Sequence, residues 1–154
     1  MKKRMQALFL ALALVLVGVW YPGGDVQAEE VGEDIDYAFL NTEDALVGHM
    51  QAQTWGVYLT AGDSSIVKLG TGKAGAGGST SAARKCSISV LVIVERLNNG
   101  SWGRWTSWKS SKSSDVYIAS SQALTVPTGY YYRVRCTHAA GGDVSSSCTG
   151  GLKI

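Results

Sequence analysis

The chain has 154 residues, with 14 Lys/Arg against 12 Asp/Glu, a formal net charge of +2 and three cysteines. With its leader set aside, that is enough for one small domain and no more. The charge is unevenly distributed, and that distribution argues against a nucleic-acid role inferred from basicity alone.

Lys2, Lys3 and Arg4 precede an apolar run over residues 7–20. A polar stretch with a turn at Pro22-Gly23-Gly24 follows and ends in Val26-Gln27-Ala28. This is the pattern of a signal peptide over residues 1–28, with cleavage expected before Glu29. The apolar run is shorter than the ~20 residues that cross a bilayer, so the membrane is expected to be met only through this leader. No cysteine follows for a lipid anchor, and the product is expected to be secreted.

Cleavage after residue 28 of 154 leaves 126. In them Glu29, Glu30, Glu33, Asp34, Asp36, Glu43 and Asp44 stand together without a base. The remainder sets eleven Lys/Arg against Asp63, Glu95, Asp115 and Asp143. An acidic arm over residues 29–54 thus precedes a basic body and would compete with a polyanion for it, so nucleic acid is not an expected partner. Ile35, Tyr37, Phe39 and Leu40 are too apolar for pure disorder, and part of the arm is expected to lie on the body.

Residues 44–53 could make a short helical turn, weakened by Gly48. The folded domain is placed at residues 55–154. Residues 55–62 read as a strand ending at Gly62-Asp63, and residues 65–69 as another. Residues 70–83 are rich in Gly, Ala, Ser and Thr and read as a loop or irregular edge strand. A β-branched run over residues 88–94 then leads to Asn99-Gly100, a strong hairpin signal because both residues tolerate the positive φ of a type I′ turn. With that pair as the loop, Leu97 faces Trp102, Glu95 faces Arg104, Ile93 faces Thr106 and Leu91 faces Trp108. The other face pairs Val94 with Trp105 and Val92 with Ser107.

Residues 110–114 read as a polar loop. Residues 115–126 read as a strand with Val116, Ile118 and Leu124 as core candidates, closed by a turn at Pro127-Thr128-Gly129. The next strand alternates, with Tyr130, Tyr132, Val134 and Cys136 on one face and Tyr131, Arg133, Arg135 and Thr137 on the other. Residues 143–154 make a weaker last strand. No segment has sustained helical periodicity, so the expected fold is all-β, a single antiparallel β-sandwich of about seven strands.

The order of residues 88–102, 105–108 and 123–142 resembles strands C, C′, E, F and G of a fibronectin type III or related immunoglobulin-like domain. Leu124, Pro127, Tyr130, Tyr132 and Val134 carry the likeness, which implies a tyrosine hydroxyl sealing the corner. The proline stands one position late, and the first two strands are poorly marked. The chain also resembles small secreted Gram-positive bacterial proteins of unknown function, which implies localisation and fold but no activity. On that strand order Cys86 and Cys136 share one end and point inward. A Cys86–Cys136 disulfide is therefore expected, with Cys136–Cys148 the alternative and one thiol left over.

The candidate chemistry is thin. Gly70-x-Gly72-x-x-Gly75 matches a dinucleotide fingerprint, but no helix or βαβ unit follows, and no cofactor is expected. Cysteines with His138 match no zinc module in spacing, so no metal site is expected. His49 and His138 are the available imidazoles. Glu95 with Asp115 or Asp143 could form a glycosidase pair, except that Glu95 is expected to meet Arg104. The sharper candidate is a face carrying Trp102, Arg104, Trp108, Tyr131, Arg133 and Arg135. Aromatics beside arginines suit an extracellular glycan, an anionic polymer or a protein surface. The same rows also suit ladder packing, as in the Trp–Arg ladder of thrombospondin repeats, whose six cysteines are missing here. The expected function is a secreted, non-enzymatic binding module. The alternatives are a small hydrolase and a released antagonist of neighbouring cells.

Overall fold

The computed structural model describes residues 40–41, 43–51 and 56–154. The expected signal peptide over residues 1–28, most of the expected acidic arm and Trp55 lie outside the described residues. Within them the chain is all β, without a helix: β1 (Leu40–Asn41), β2 (Ala45–His49), β3 (Leu59–Gly70), β4 (Lys73–Asn98), β5 (Ser101–Thr125), β6 (Tyr131–Ala140), β7 (Asp143–Cys148) and β8 (Gly151–Lys153).

The organising element is the β4–β5 hairpin. Asn99 and Gly100 take φ values of 50° and 80°, the left-handed pair that a type I′ turn requires. From that turn Leu97 pairs with Trp102 and Glu95 with Arg104, as the sequence predicts. A bulge then places Trp105 between the Glu95–Arg104 and Val94–Thr106 pairs. Every later pair moves by one: Ile93 meets Ser107 and Val92 meets Trp108. Because side chains alternate with period two, that single extra residue turns Trp108 from the outer face to the inner one.

β4 pairs with β5 along most of its 26 residues. Its other edge is shared, with β3 taking the stretch from Lys73 to Ala82 and β6 the stretch from Ile88 to Arg96. Irregular register between Ser81 and Ile88 marks the bend between the two stretches. β2 extends β3, while β7 and β8 follow end to end along the free edge of β6, and β1 joins β8 in parallel. The result is one sheet, antiparallel apart from β1–β8, folded back into a nearly closed, barrel-like form. Its first leaf is β2, β3, the start of β4 and the end of β5. Its second leaf is the start of β5, the end of β4, then β6 with β7 and β8.

Several segments expected to be loops are strand, and packing explains why. Residues 70–83 lack bulk because their strand packs tightly against its neighbours and, at Gly78, against the facing leaf. A Cβ at Gly78 would overlap the Cys136 sulfur, and one at Gly62 would overlap the His138 ring. Gly62 is therefore a packing glycine inside β3 rather than a turn, and the two expected strands are one. Residues 110–114 continue β5 through the bend. Residues 44–53, expected as a helical turn, hold β2, where Gly48 passes against the Cys148 backbone. The last segment splits into β7 and β8.

The core is supplied mainly by Ile66, Ile88, Val90, Val92, Val94, Ile118, Tyr132, Val134, Cys136 and Leu152. Leu124 packs against it, whereas Val116 is exposed. Tyr132 donates its hydroxyl to the Pro127 carbonyl at 2.9 Å, closing the corner that the resemblance implies. His138 is wholly buried, its Nδ1 2.9 Å from Thr80 Oγ1 and its Nε2 2.8 Å from Ser147 Oγ. Burial lowers its pKa.

The cysteines are free thiols, and the expected Cys86–Cys136 bridge does not form. Cys136 sits across from Val92, six residues beyond Cys86 along β4. At ~3.3 Å per residue that is roughly 20 Å, well past the ~7 Å limit for a disulfide. Cys148 pairs with Arg135, on the opposite face of the sheet from the inward Cys136. Burial pushes the Cys136 thiol up to about 12.

Candidate functional site

The outer face of the second leaf is built around Glu95. The Arg104–Glu95–Arg133 row crosses three strands, with Arg135 two residues along β6 on the same side. Glu95 is 4% exposed and accepts Arg133 Nε at 2.6 Å and Arg135 Nη2 at 2.5 Å. Glu95 thus holds two arginines of β6, and not Arg104 as the sequence suggests. Charge-assisted bonds to both oxygens of one carboxylate fix both guanidinium groups. Arg133 in turn lies over the Trp102 ring, 4.4 Å from its centroid. Tyr131 ends the face beside Lys153, whose Nζ is 5.8 Å from the ring centroid.

Of the six expected residues, Trp102, Arg104, Tyr131, Arg133 and Arg135 share this face. Trp108 does not join them. It is half-buried on the inner side, where its Nε1 donates to Ser120 Oγ at 3.0 Å. Trp105 takes a different place, edge-on to Tyr132 with ring centroids 6.4 Å apart and under the Arg96 guanidinium at 4.8 Å. Arg104 is exposed, and Arg135 keeps 49% of its side chain in solvent. Three arginines to one carboxylate leave the face positive.

The other carboxylates are engaged structurally. Asp115 binds Lys112 at 2.7 Å, which with nearby amides lowers its pKa. Asp143 caps the amides of Tyr58 and Leu59 at 2.6 and 3.1 Å. No glycosidase pairing with Glu95 is built from either. The Gly70-x-Gly72-x-x-Gly75 motif forms the tight β3–β4 turn, with Gly72 at φ 67°. Both ring nitrogens of His138 are occupied by hydroxyls, which leaves none for a metal.

Sequence reasoning missed one constellation. On the outer face of the first leaf, His49, Asp63, Ser79 and Ala119 line up across β2, β3, β4 and β5. His49 Nδ1 is 2.7 Å from Asp63 Oδ1, and Ser79 Oγ donates to Asp63 Oδ2 at 3.3 Å. The serine faces the carboxylate rather than the imidazole, so the row does not set a base against a nucleophile. Period-two spacing within residues 61–65 and 77–81 is the signal that could have found it, had those segments been read as strand.

The chain belongs to DUF6147, a family of unknown function, whose model matches residues 26–151. No curated protein and no solved structure matches it.

Proposed function

We propose that this chain is a secreted, non-enzymatic binding module that holds an anionic group of an extracellular polymer or protein on its arginine face. The observation that carries this reading is the single carboxylate of Glu95 clamping Arg133 and Arg135. Arginines already fixed by a buried partner lose little freedom on binding, and their remaining N–H groups present a forked donor set. Trp102, with the Arg133 guanidinium over its ring, adds an apolar wall, and Arg104 adds an unpaired charge at the rim. Release from the cell is supported by the signal-peptide pattern of residues 1–28 and by the resemblance to small secreted Gram-positive proteins. Kinship with fibronectin type III or immunoglobulin-like sandwiches is supported by the Tyr132–Pro127 corner ahead of an alternating strand. The continuous β4–β5 hairpin that serves both leaves makes that kinship a distant one.

The test is an array of anionic and neutral cell-wall polymers and glycans, probed with the purified protein. Binding to anionic polymers that weakens with salt is expected. The double change Arg104→Gln, Arg135→Gln should lower affinity about tenfold or more, since charge-assisted bonds are worth about 1.5–3 kcal/mol. Equal signal from both proteins removes the proposed face.

A further inference from the structure

The first leaf carries a second surface of different chemistry. Its outer face is set by three neighbouring rows: Val47, Ser65, Gly77, Ser121; then His49, Asp63, Ser79, Ala119; then Ala61, Ser81, Tyr117. In the middle of this face lies a groove of about 260 Å³, lined by Asp63, Ser65, Gly77, Ser79, Ala119 and Ser121. Gly77 makes the groove. It stands between two serines, and a Cβ there would come within 2.8 Å of Ser121 Cβ and 2.9 Å of the Ser120 carbonyl. The backbone can therefore carry nothing larger at that point, and the floor stays open.

The polar groups around this floor are arranged and partly unused. Asp63 accepts on both oxygens, from His49 Nδ1 and from Ser79 Oγ, so its carboxylate is held in one orientation. With Nδ1 as the donor, the imidazole keeps Nε2 as an acceptor. Ser65 and Ser121 are exposed, and their hydroxyls make no hydrogen bond to a described residue. No lining residue is a Lys or Arg. Tyr117, half exposed, stands on the same face two residues from Ala119.

We propose that this trough binds an uncharged sugar ring, with Asp63, Ser65, Ser79 and Ser121 meeting its hydroxyls and Tyr117 flanking its apolar face. Each hydroxyl of a sugar both donates and accepts. That matches a set in which a carboxylate accepts and the serines do both. Asp63 and the missing cations select against acidic sugars. The volume lies just below the ~300–1,000 Å³ of drug-sized pockets, which suits one ring of a longer chain rather than a large ligand. This site lies on the opposite leaf from the arginine face and does not depend on it.

The experiment uses the purified protein on immobilised neutral hexose and N-acetylhexosamine polymers, with the corresponding free monosaccharides as competitors. Binding indifferent to salt is expected. Asp63→Ala should weaken it about tenfold or more, the worth of one to two lost hydrogen bonds to a charged group. Ala119→Arg changes an exposed position on the groove wall and should block binding while leaving the thermal midpoint unchanged. The Arg104→Gln, Arg135→Gln protein should bind as before. Competition by free monosaccharide assigns the site to a single ring, and competition by oligosaccharide alone assigns it to an extended chain. No retained neutral polymer, or retention that survives both groove changes, overturns the proposal.

Discussion

The two halves of β4 do opposite work in the same core. Its first half brings Ala74, Ala76, Gly78 and Thr80 to the interior, and its second half brings Ile88, Val90, Val92 and Val94. Across from the small half stand Cys136 and His138 of β6, close enough that glycine is required at positions 62 and 78. Interiors are packed to a near-constant density, so a thin leaf must be matched by a thick one. The outer faces differ as strongly. The second leaf presents arginines and an indole around one buried acid, and the first presents serines, alanines and glycines around one His–Asp pair.

The largest test of this division is to thicken the thin leaf. Gly78→Val should cost about 3 kcal/mol, because the new side chain meets Cys136 and the Asp63 carbonyl with nowhere to move. A urea titration that leaves the midpoint in place would mean the leaves are not in contact there. Next comes the acid at the centre of the second leaf. Glu95→Ala strands two arginines over a closed sheet and should cost about 2 kcal/mol, below the figure for a fully buried pair because both arginines reach solvent. Glu95→Ala should also abolish polymer binding on that face while sparing sugar binding on the other.

The interface between the leaves also answers to acid. His138 is buried neutral, so its pKa is lowered from the ordinary 6.5. The unfolded chain then takes up a proton that the folded one refuses. The stabilisation is complete above about pH 6.5 and is lost as pH falls below it, offset in part by the nearby Asp63 carboxylate. Denaturation midpoints taken from pH 7.5 to 5 should fall in the native protein and stay level in His138→Gln. An equal fall in both assigns the effect elsewhere. The smallest change belongs to the hairpin tip. Gly100→Ala places a side chain at φ 80° and should cost about 1 kcal/mol, read from the same titration, with no effect on either face.

Much of the second leaf was legible because its signals are local. Asn99-Gly100 announces its own turn, and the β-branched run and the alternation from Tyr130 to Thr137 announce their faces. The bulge at Trp105 was not legible, since nothing in residues 101–109 says which one is extra, and that ambiguity sent Trp108 to the wrong side. The sequence points Glu95 at Arg104 because cross-strand pairing within one hairpin is readable, whereas the pairing of β4 with β6 is not. The first leaf was mostly hidden. Its glycines and serines carry the composition of a loop, and the reason for them lies in Cys136 and His138, some sixty residues further on. The Asp63 row was missed for the same cause: a strand read as a loop has no faces.

Cys136 gives the molecule a gauge of its own opening. Sealed against Gly78, with its proton held up to about 12, the thiol offers no nucleophile to an alkylating reagent while the leaves stay together. Its labelling rate therefore times the parting of the two halves, and the more exposed Cys148, whose thiol burial also raises, supplies a reference in the same tube.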